Sequence, residues 1–570
     1  MLERDKNHPC IFSWSVGNES WSGQNLYDMS MYFRNRDQSR PVHYENVCHD
    51  RRWEATTDFE SRMYTTPAEV EEYLKNDPKK PYILCEYAHS MGNSCGNLDE
   101  YTTLLDKYPQ YCGGFIWDYI DQSLYKKDPF GKEYLAYGGD FGDRATNENF
   151  CTNGLLYGDR NVSPKMQEVR YLYQPFRLVP RAEEIEVENL QLFEDGSRYL
   201  LKWRLEKEGE VLVSGSSAFR VNPGEKACFP CDMRLPKAPG EYVRTATLTL
   251  AEDTPYAKMG TEICFGQTVE KIEDSVCREK TETNPRIEIV DGDSSFSVKG
   301  DGFFIMFQKM TGKLISWNIR GKELVYDMAN TLLPEFWRAP TDNDAGNKMP
   351  VRCVMWKGAS LYPKVESTSF KKDGEYAVAE TVYQLGGGAR CHVTYQINGD
   401  GVMDVTERYE GAKGLPELPC FGMSWKLPAD CRQITWYGLG PEETYRDRRR
   451  GGKLGIHKTT PEEGMSGYVV PQECGNHADT RWVEVCDESG TGIRIEGQMP
   501  FEFSALPYSC HELESARHHY ELPHPYAVTL RILEAQTGVG GDNSWGAWAH
   551  EQYILDSSKD RELRFTVRSL

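Results

Sequence analysis

Cys10-Ile-Phe-Ser-Trp-Ser-Val16 is a short apolar run that passes directly into the polar residues Gly17-Asn18-Glu19-Ser20. The same grammar returns four times downstream, at Pro41-Val-His-Tyr-Glu-Asn-Val47, Phe59-Glu-Ser-Arg-Met-Tyr64, Pro81-Tyr-Ile-Leu-Cys-Glu86 and Gly113-Gly-Phe-Ile-Trp-Asp-Tyr119. Between these runs lie helix-forming stretches at roughly 22–37, 67–76 and 97–107, the second opening with Thr66-Pro67-Ala-Glu69. Short strands that alternate with helices and end in polar residues predict parallel β/α units over residues 1–176. In a barrel of such units the C-terminal ends of the strands converge on one face. Glu19 and Glu86 both stand at such ends, and two carboxyls there suit glycoside hydrolysis, one as acid/base and one as nucleophile. Two buried, hydrogen-bonded glutamates would occupy the same positions, and the two residues alone do not choose between these readings.

From about residue 177 the pattern changes to period two, as in Tyr199-Leu-Leu-Lys-Trp-Arg-Leu205, Ala246-Thr-Leu-Thr-Leu250 and Val393-Thr-Tyr-Gln-Ile397. Turn pairs recur at Asp195-Gly196, Asp291-Gly292, Asp301-Gly302 and Asn398-Gly399. That is antiparallel β architecture, most simply sandwiches. A polar, charge-rich stretch near 268–285 marks a boundary, which predicts a β/α segment 1–176, a small sandwich 177–275 and a large β domain 286–570.

At 570 residues the chain is too long for one core, and about three domains is the prior. The 33 tyrosines and 13 tryptophans suit sugar stacking and sandwich cores alike. A net charge of −21 argues against nucleic acid or an anionic membrane surface as partner. No apolar run of about 18 residues occurs, and no basic-then-apolar leader follows Met1, so a cytoplasmic location is expected. Seventeen scattered cysteines, an odd count, fit free thiols in a reducing compartment. Cys228-Phe-Pro-Cys231 has no second pair nearby and reads as two ordinary strand cysteines. His511-Glu-Leu-Glu514 with His518-His519 lacks the H-E-x-x-H spacing and reads as a solvated strand edge.

Asp5-Lys-Asn-His-Pro-Cys-Ile-Phe-Ser-Trp-Ser-Val-Gly-Asn-Glu-Ser20 resembles the acid/base signature of family 2 glycoside hydrolases. Ile83-Leu-Cys-Glu-Tyr-Ala-His-Ser-Met-Gly-Asn-Ser94 is similar to the nucleophile signature of the β-galactosidases of that family. Gly113–Ser123 and Tyr137-Gly-Gly-Asp-Phe-Gly-Asp143 continue the pattern. Farther on, Phe336-Trp-Arg-Ala-Pro-Thr-Asp-Asn-Asp-Ala-Gly346, Trp436-Tyr-Gly-Leu-Gly-Pro-Glu-Glu-Thr-Tyr445 and Gly540-Gly-Asp-Asn-Ser-Trp545 resemble the last β domain of the large β-galactosidase type. An Asn-Glu pair alone is weak; these long stretches in order are specific and span essentially the whole chain.

The resemblance implies a (β/α)8 TIM barrel, an immunoglobulin-like β-sandwich and a large β-sandwich. It implies a retaining β-galactosidase acting on lactose-like substrates through a covalent galactosyl-enzyme. Glu86 would be the nucleophile and Glu19 the acid/base, with the carboxyls about 5–5.5 Å apart, Glu19 holding its proton and Glu86 ionised. It further implies substrate contacts from Asn18, Tyr64, His89, Trp117 (the floor under galactose), Asn153 and Trp545 (an outer platform). Two cations follow from the same resemblance: Mg2+ with Glu19 among its ligands, and Na+ with the Phe150 carbonyl and the Asn153 side chain. Their remaining ligands belong to positions that would precede Met1. A homo-oligomer is expected for the full-length form.

Five β/α strands do not close a barrel of eight. By the resemblance Cys10–Val16 corresponds to the fourth strand, so the chain is expected to be the second part of a barrel and its following domains. Three readings follow: a hydrolase that needs its N-terminal half, a non-catalytic galactoside-binding or assembly fragment, or an enzyme of the same family with another β-glycoside specificity.

Overall fold

The structure, a computed structural model, describes residues 1–273, 287–329 and 331–570. Each of the five N-terminal apolar runs forms a short strand: β1 (Trp14–Ser15), β2 (Val42–His43), β3 (Glu60–Met63), β4 (Tyr82–Tyr87) and β5 (Tyr111–Ile116). All pairings among them are parallel, β1 with β2 and β3 with β4 with β5. The helices are α1 (Leu2–Asp5), α2 (Gln24–Arg36), α3 (Pro67–Lys75), α4 (Leu98–Lys107) and α5 (Lys165–Leu172). Thr66 and Glu69 start α3 by a reciprocal capping box, with Pro67 at its first position. On α4, Leu98, Tyr101 and Leu104 recur at three-residue spacing and are buried with Leu84 and Tyr87 of β4. The strands curl: Phe12, just before β1, stacks on Phe115 of β5 with ring centroids 6.5 Å apart. This is a partial TIM barrel. Two 3-10 turns, Asn46–His49 and Arg51–Thr56, fill the connection from β2 to β3 without a periodic signal in the sequence.

A sandwich follows. One sheet orders Lys226–Pro230, Glu184–Asn189 and Phe176–Pro180; the other orders Glu210–Ala218, Tyr199–Lys207, Gly240–Leu250 and Glu262–Ile272. Phe176 of the first meets Tyr199 of the second at 5.6 Å, and both are buried. Strand Glu262–Ile272 runs into the stretch read as a boundary, and 274–286 lies outside the described residues.

The last part packs a five-stranded sheet, from Glu288–Asp291 to Lys322–Glu323, against a twelve-stranded one among the described residues. Trp317 of the first stacks on Trp425 of the second at 5.6 Å, both fully buried. Such a pair adds about 1 kcal/mol beyond the area it removes from water. Strand Ala389–Ile397 alternates buried and wetter positions along its length, which is the period-two pattern of its sequence.

One expectation fails here. His511 lies on a short helix, Cys510–Ser515, and not on a strand edge. Ser509 and Glu512 form a capping box that starts this helix, a local signal stronger than the surrounding β context.

The last domain is bound directly to the barrel segment. Asp542 accepts from Asn97 and Tyr101, and Asp342 accepts from Asn149. Gln472 accepts from the Asn93 backbone, and Arg448 donates to the Ser94 carbonyl. The segment carrying Trp545 is thereby laid across the C-terminal ends of β3 and β4.

Candidate active site

Glu86 is on β4 and Tyr64 follows β3. The parallel ladder continues past β3, with the Tyr64 N–H donating to the Glu86 carbonyl at 2.9 Å. The same register places the Tyr64 hydroxyl as donor to Glu86 Oε2, also at 2.9 Å. Beyond β1 the chain turns at Gly17, where a Cβ would lie 3.2 Å from Leu26 and Tyr44. Glu19 then donates its backbone N–H to Glu45 Oε1 at 2.6 Å. Asn18 and Glu19 are exposed, whereas Glu45, two residues past β2, is buried. Glu19, Tyr64 and Ala88 are all non-glycine residues in the left-handed region, with φ of 50°, 51° and 49°. Such strain persists where the surroundings over-determine it, and functional sites collect it.

Asn18, Glu45 and Glu86 line a cavity of about 320 Å³ on the inside of the curled strands, together with Ser15, His43 and Cys85. Below them His43 bridges Ser15 Oγ at 3.0 Å and Ser61 Oγ at 2.7 Å. Burial lowers His43 to about 4, so this bridge is a neutral imidazole at neutral pH.

Burial pushes the Glu86 carboxyl above its ordinary value; the Tyr64 hydroxyl opposes this, and the charges of Glu19 and Glu45 add to it. Burial also raises the Tyr64 hydroxyl far above its usual range, and the Glu86 charge assists. Tyr64 is therefore a constant donor. The sequence reading asked for a proton held on Glu19 and an ionised Glu86. Burial pushes Glu86 up because its carboxyl sits within the curl.

A ring wall stands beside Glu86. Trp545 lies edge-on to Tyr64 at 4.7 Å and to His89 at 5.0 Å, and Phe150 lies 5.9 Å from His89. Ser544 Oγ donates to the His89 carbonyl at 2.7 Å, which fixes the neighbouring Trp545. The Asn153 amide meets His89 Nε2 at 3.4 Å and donates to the Phe150 carbonyl at 3.0 Å. Trp117 joins none of these ring contacts and is 39% exposed. Its backbone is nonetheless held at the site, since its carbonyl accepts from Ser90 and the next residue donates to the Asn153 carbonyl.

Tyr64, Glu86, His89, Phe150, Asn153 and Trp545 are thus brought together, Asn18 shares the cavity with Glu86, and Glu19 reaches the group by its charge. Glu45 was missed. It lies two residues past the end of β2, inside the apolar run Pro41–Val47.

Asn153 Oδ1 is buried without a hydrogen-bond partner. Turning the amide would set that oxygen beside the Phe150 carbonyl, and two converging oxygens suit a hard cation such as Na+. For Mg2+ the residues do not suffice, because no group of three metal donors among the described residues includes Glu19.

Comparison with known proteins agrees along the chain. A family model described as glycosyl hydrolases family 2, TIM barrel domain, matches residues 1–178. One described as beta-galactosidase, domain 4, matches 185–270, and one described as beta galactosidase small chain matches 299–568. A beta-galactosidase of Halalkalibacterium halodurans is 44% identical over 575 residues, covering 100% of this chain and 56% of the relative. Those of Priestia megaterium and Streptococcus thermophilus are 40% and 38% identical, again over 100% of this chain, and are covered to 55% and 57%. The chain spans about half the length of the curated relatives it matches. With a partial barrel, strand-end carboxylates and two β domains in this order, the chain belongs to glycoside hydrolase family 2, where it carries the barrel segment, fourth domain and small-chain domain of the β-galactosidase type.

Proposed function

We propose that this chain carries the catalytic half of a retaining β-galactosidase that releases terminal galactose from lactose-like β-galactosides. The supporting observation is the convergence of Glu86, Tyr64, His89, Asn153 and Trp545, from separate stretches of the sequence, on one ring-walled mouth. A Glu86 oxygen attacks the anomeric carbon as the bond to the leaving oxygen breaks, and the Glu19 proton passes to that oxygen. Water then attacks the same carbon, Glu19 takes its proton, and the carboxylate of Glu86 is restored with the configuration retained. Asn18 would hold the 2-hydroxyl, His89 and Asn153 further hydroxyls, Trp117 the apolar face of galactose and Trp545 the aglycone. Phe150 and Asn153 would hold Na+, whose charge would orient a sugar hydroxyl. The full-length protein is expected to act as a homo-oligomer in the cytoplasm, in keeping with the free thiols.

The exposed Glu19 favours a second reading, a galactoside-binding fragment that does no chemistry alone. A chromogenic β-galactoside decides between them, assayed on this chain alone and on a protein extended to the length of its relatives. Turnover in the extended protein that Glu86→Gln lowers by roughly three orders of magnitude supports the hydrolase. Galactose binding by calorimetry with no turnover in either form, unaffected by Glu86→Gln, supports the fragment.

A further inference from the structure

Away from the galactoside mouth, Glu335 is one of the carboxylates buried without an ion pair among the described residues. It lies on the edge strand Leu333–Glu335 and is 6% exposed. Its Oε1 accepts from the Trp337 backbone N–H at 3.1 Å. Its Oε2 faces the thiol of Cys510 at 4.0 Å. Arg531, the cation nearby, is committed to Glu473 through two bonds of 2.9 and 2.8 Å. A bound cation would give this carboxylate a direct charge partner.

The neighbours supply the other donors. His511 follows Cys510 on the helix Cys510–Ser515, and one ligand atom each from Glu335, Cys510 and His511 lies within 4.8 Å of the others. His511 Nδ1 is turned toward Glu514 Oε1 at 3.1 Å, which leaves Nε2 without a hydrogen bond among the described residues. A carboxylate behind one ring nitrogen is the arrangement that orients a metal-binding imidazole. Glu514 is itself fixed by Lys357 at 2.6 Å and by the Trp337 indole at 3.1 Å. Trp337 therefore holds both carboxylates, one by its backbone and one by its ring.

We propose that Glu335, Cys510 and His511 form a binding site for a divalent cation of the zinc class. A thiolate, an imidazole and a carboxylate make a mixed sulfur, nitrogen and oxygen set, which suits Zn2+ and excludes Mg2+ and Ca2+. Ligand bonds of about 2.0–2.3 Å require the three donors to draw together modestly, and the partly exposed His511 can supply that movement. The Cys510 proton leaves to solvent as the metal binds. The site lies at the root of residues 336–346, the stretch that reaches the barrel through Asp342. A cation here would pin that stretch to the helix Cys510–Ser515.

The test is dialysis of the full chain against Zn2+ with elemental analysis, and against Co2+ with absorption spectroscopy. The expected result is about one Zn2+ per chain and a thiolate-to-cobalt charge-transfer band, with both lost in Cys510→Ala and the Zn2+ affinity lowered at least tenfold in His511→Ala. Cys231→Ala should keep the band. Absence of stoichiometric metal in the wild type overturns the proposal, and so does metal that survives Cys510→Ala or disappears with Cys231→Ala. Circular dichroism of each variant separates loss of metal from loss of fold, and His511→Ala, at a partly exposed position, keeps the test decisive if Cys510→Ala does not fold.

Discussion

Tyr64 and Glu86 are joined twice, through the Tyr64 N–H on the Glu86 carbonyl and the Tyr64 hydroxyl on Glu86 Oε2, each at 2.9 Å. The backbone bond sets the register of two neighbouring strand ends, and the register makes the side-chain bond possible. A one-residue slip would turn Tyr64 to the other face of the sheet. The hydroxyl therefore acts on Glu86 with its position already determined by the fold.

Tyr64→Phe should raise the Glu86 carboxyl further. The hydroxyl favours the charged form, and without it burial and the charges of Glu19 and Glu45 act unopposed. An upward move is expected. Carboxyl titration by NMR in this chain measures it, as does the acid limb of kcat/KM in an extended active protein. Phe keeps the ring contacts with His89 and Trp545, so the fold should hold. An unmoved titration would show that Tyr64 does not set the charge of Glu86.

Glu86→Gln should stabilise the chain at neutral pH. A carboxyl raised in the folded state holds its proton at pH values where the unfolded chain has already lost it. Stability therefore falls as pH rises from the ordinary carboxylate range through the raised value, and is level above it. The half-buried position limits the gain to about 1 kcal/mol or less at pH 7. Denaturant midpoints of wild type and variant should converge near pH 4 and separate toward pH 7. A variant less stable at pH 7 would contradict the direction.

His550 ties the Trp545 segment to α4. Asp542 and Glu100 accept from its two ring nitrogens at 2.8 and 3.0 Å, and these bonds raise it to about 10 from an ordinary 6.5. The folded value lies above the unfolded one, so its stabilisation is complete below about pH 6.5 and is lost as pH climbs through 10. The expected loss is about 1–2 kcal/mol once solvent screening is allowed for. His550→Gln should flatten the melting temperature between pH 6 and 10, and an unchanged slope would rule the histidine out as its cause.

Much of the barrel segment was legible because its signals are local. Each strand is a short apolar run ending in a polar residue, and α3 has its cap and proline within four residues, Thr66 to Glu69. Glu19 and Glu86 could be singled out by the same strand-end rule. The bonds that close the site were not legible, since Asn97 and Asp542 are 445 residues apart and neither stands in a pattern that points to the other. Glu45 went unassigned because it lies within an apolar run whose last residues, Asn46 and Val47, continue into a 3-10 turn. Trp117 could be placed at the end of β5, but its backbone position does not determine which way the ring faces. The helix bearing His511 was hidden for another reason: its six residues are too few to show a helical period.

Asp342 should prove the most sensitive joint between the last domain and the barrel. It is partly buried; its Oδ1 accepts from Asn149 at 2.7 Å and its Oδ2 from Gln472 at 2.9 Å. Gln472 in turn accepts from the Asn93 backbone at 3.1 Å, so one carboxylate and one amide hold both the stretch after His89 and the stretch before Phe150. Gly92 passes so close that a Cβ there would lie 2.2 Å from Asp342 Oδ2, at a φ of +54° that also favours glycine. Asp342→Ala takes an acceptor from the Asn149 and Gln472 amides, of which Gln472 keeps the Val470 carbonyl, and should cost about 2–4 kcal/mol. Asp342→Asn keeps one acceptor and removes a charge that burial already penalises, so its cost should be about 1 kcal/mol. Denaturant midpoints measure the two costs, and hydrogen exchange should show faster opening at residues 90–94 and 149–153 in the alanine variant. Equal costs for the two substitutions would mean that the side chain fills space there and does not hold the two stretches together.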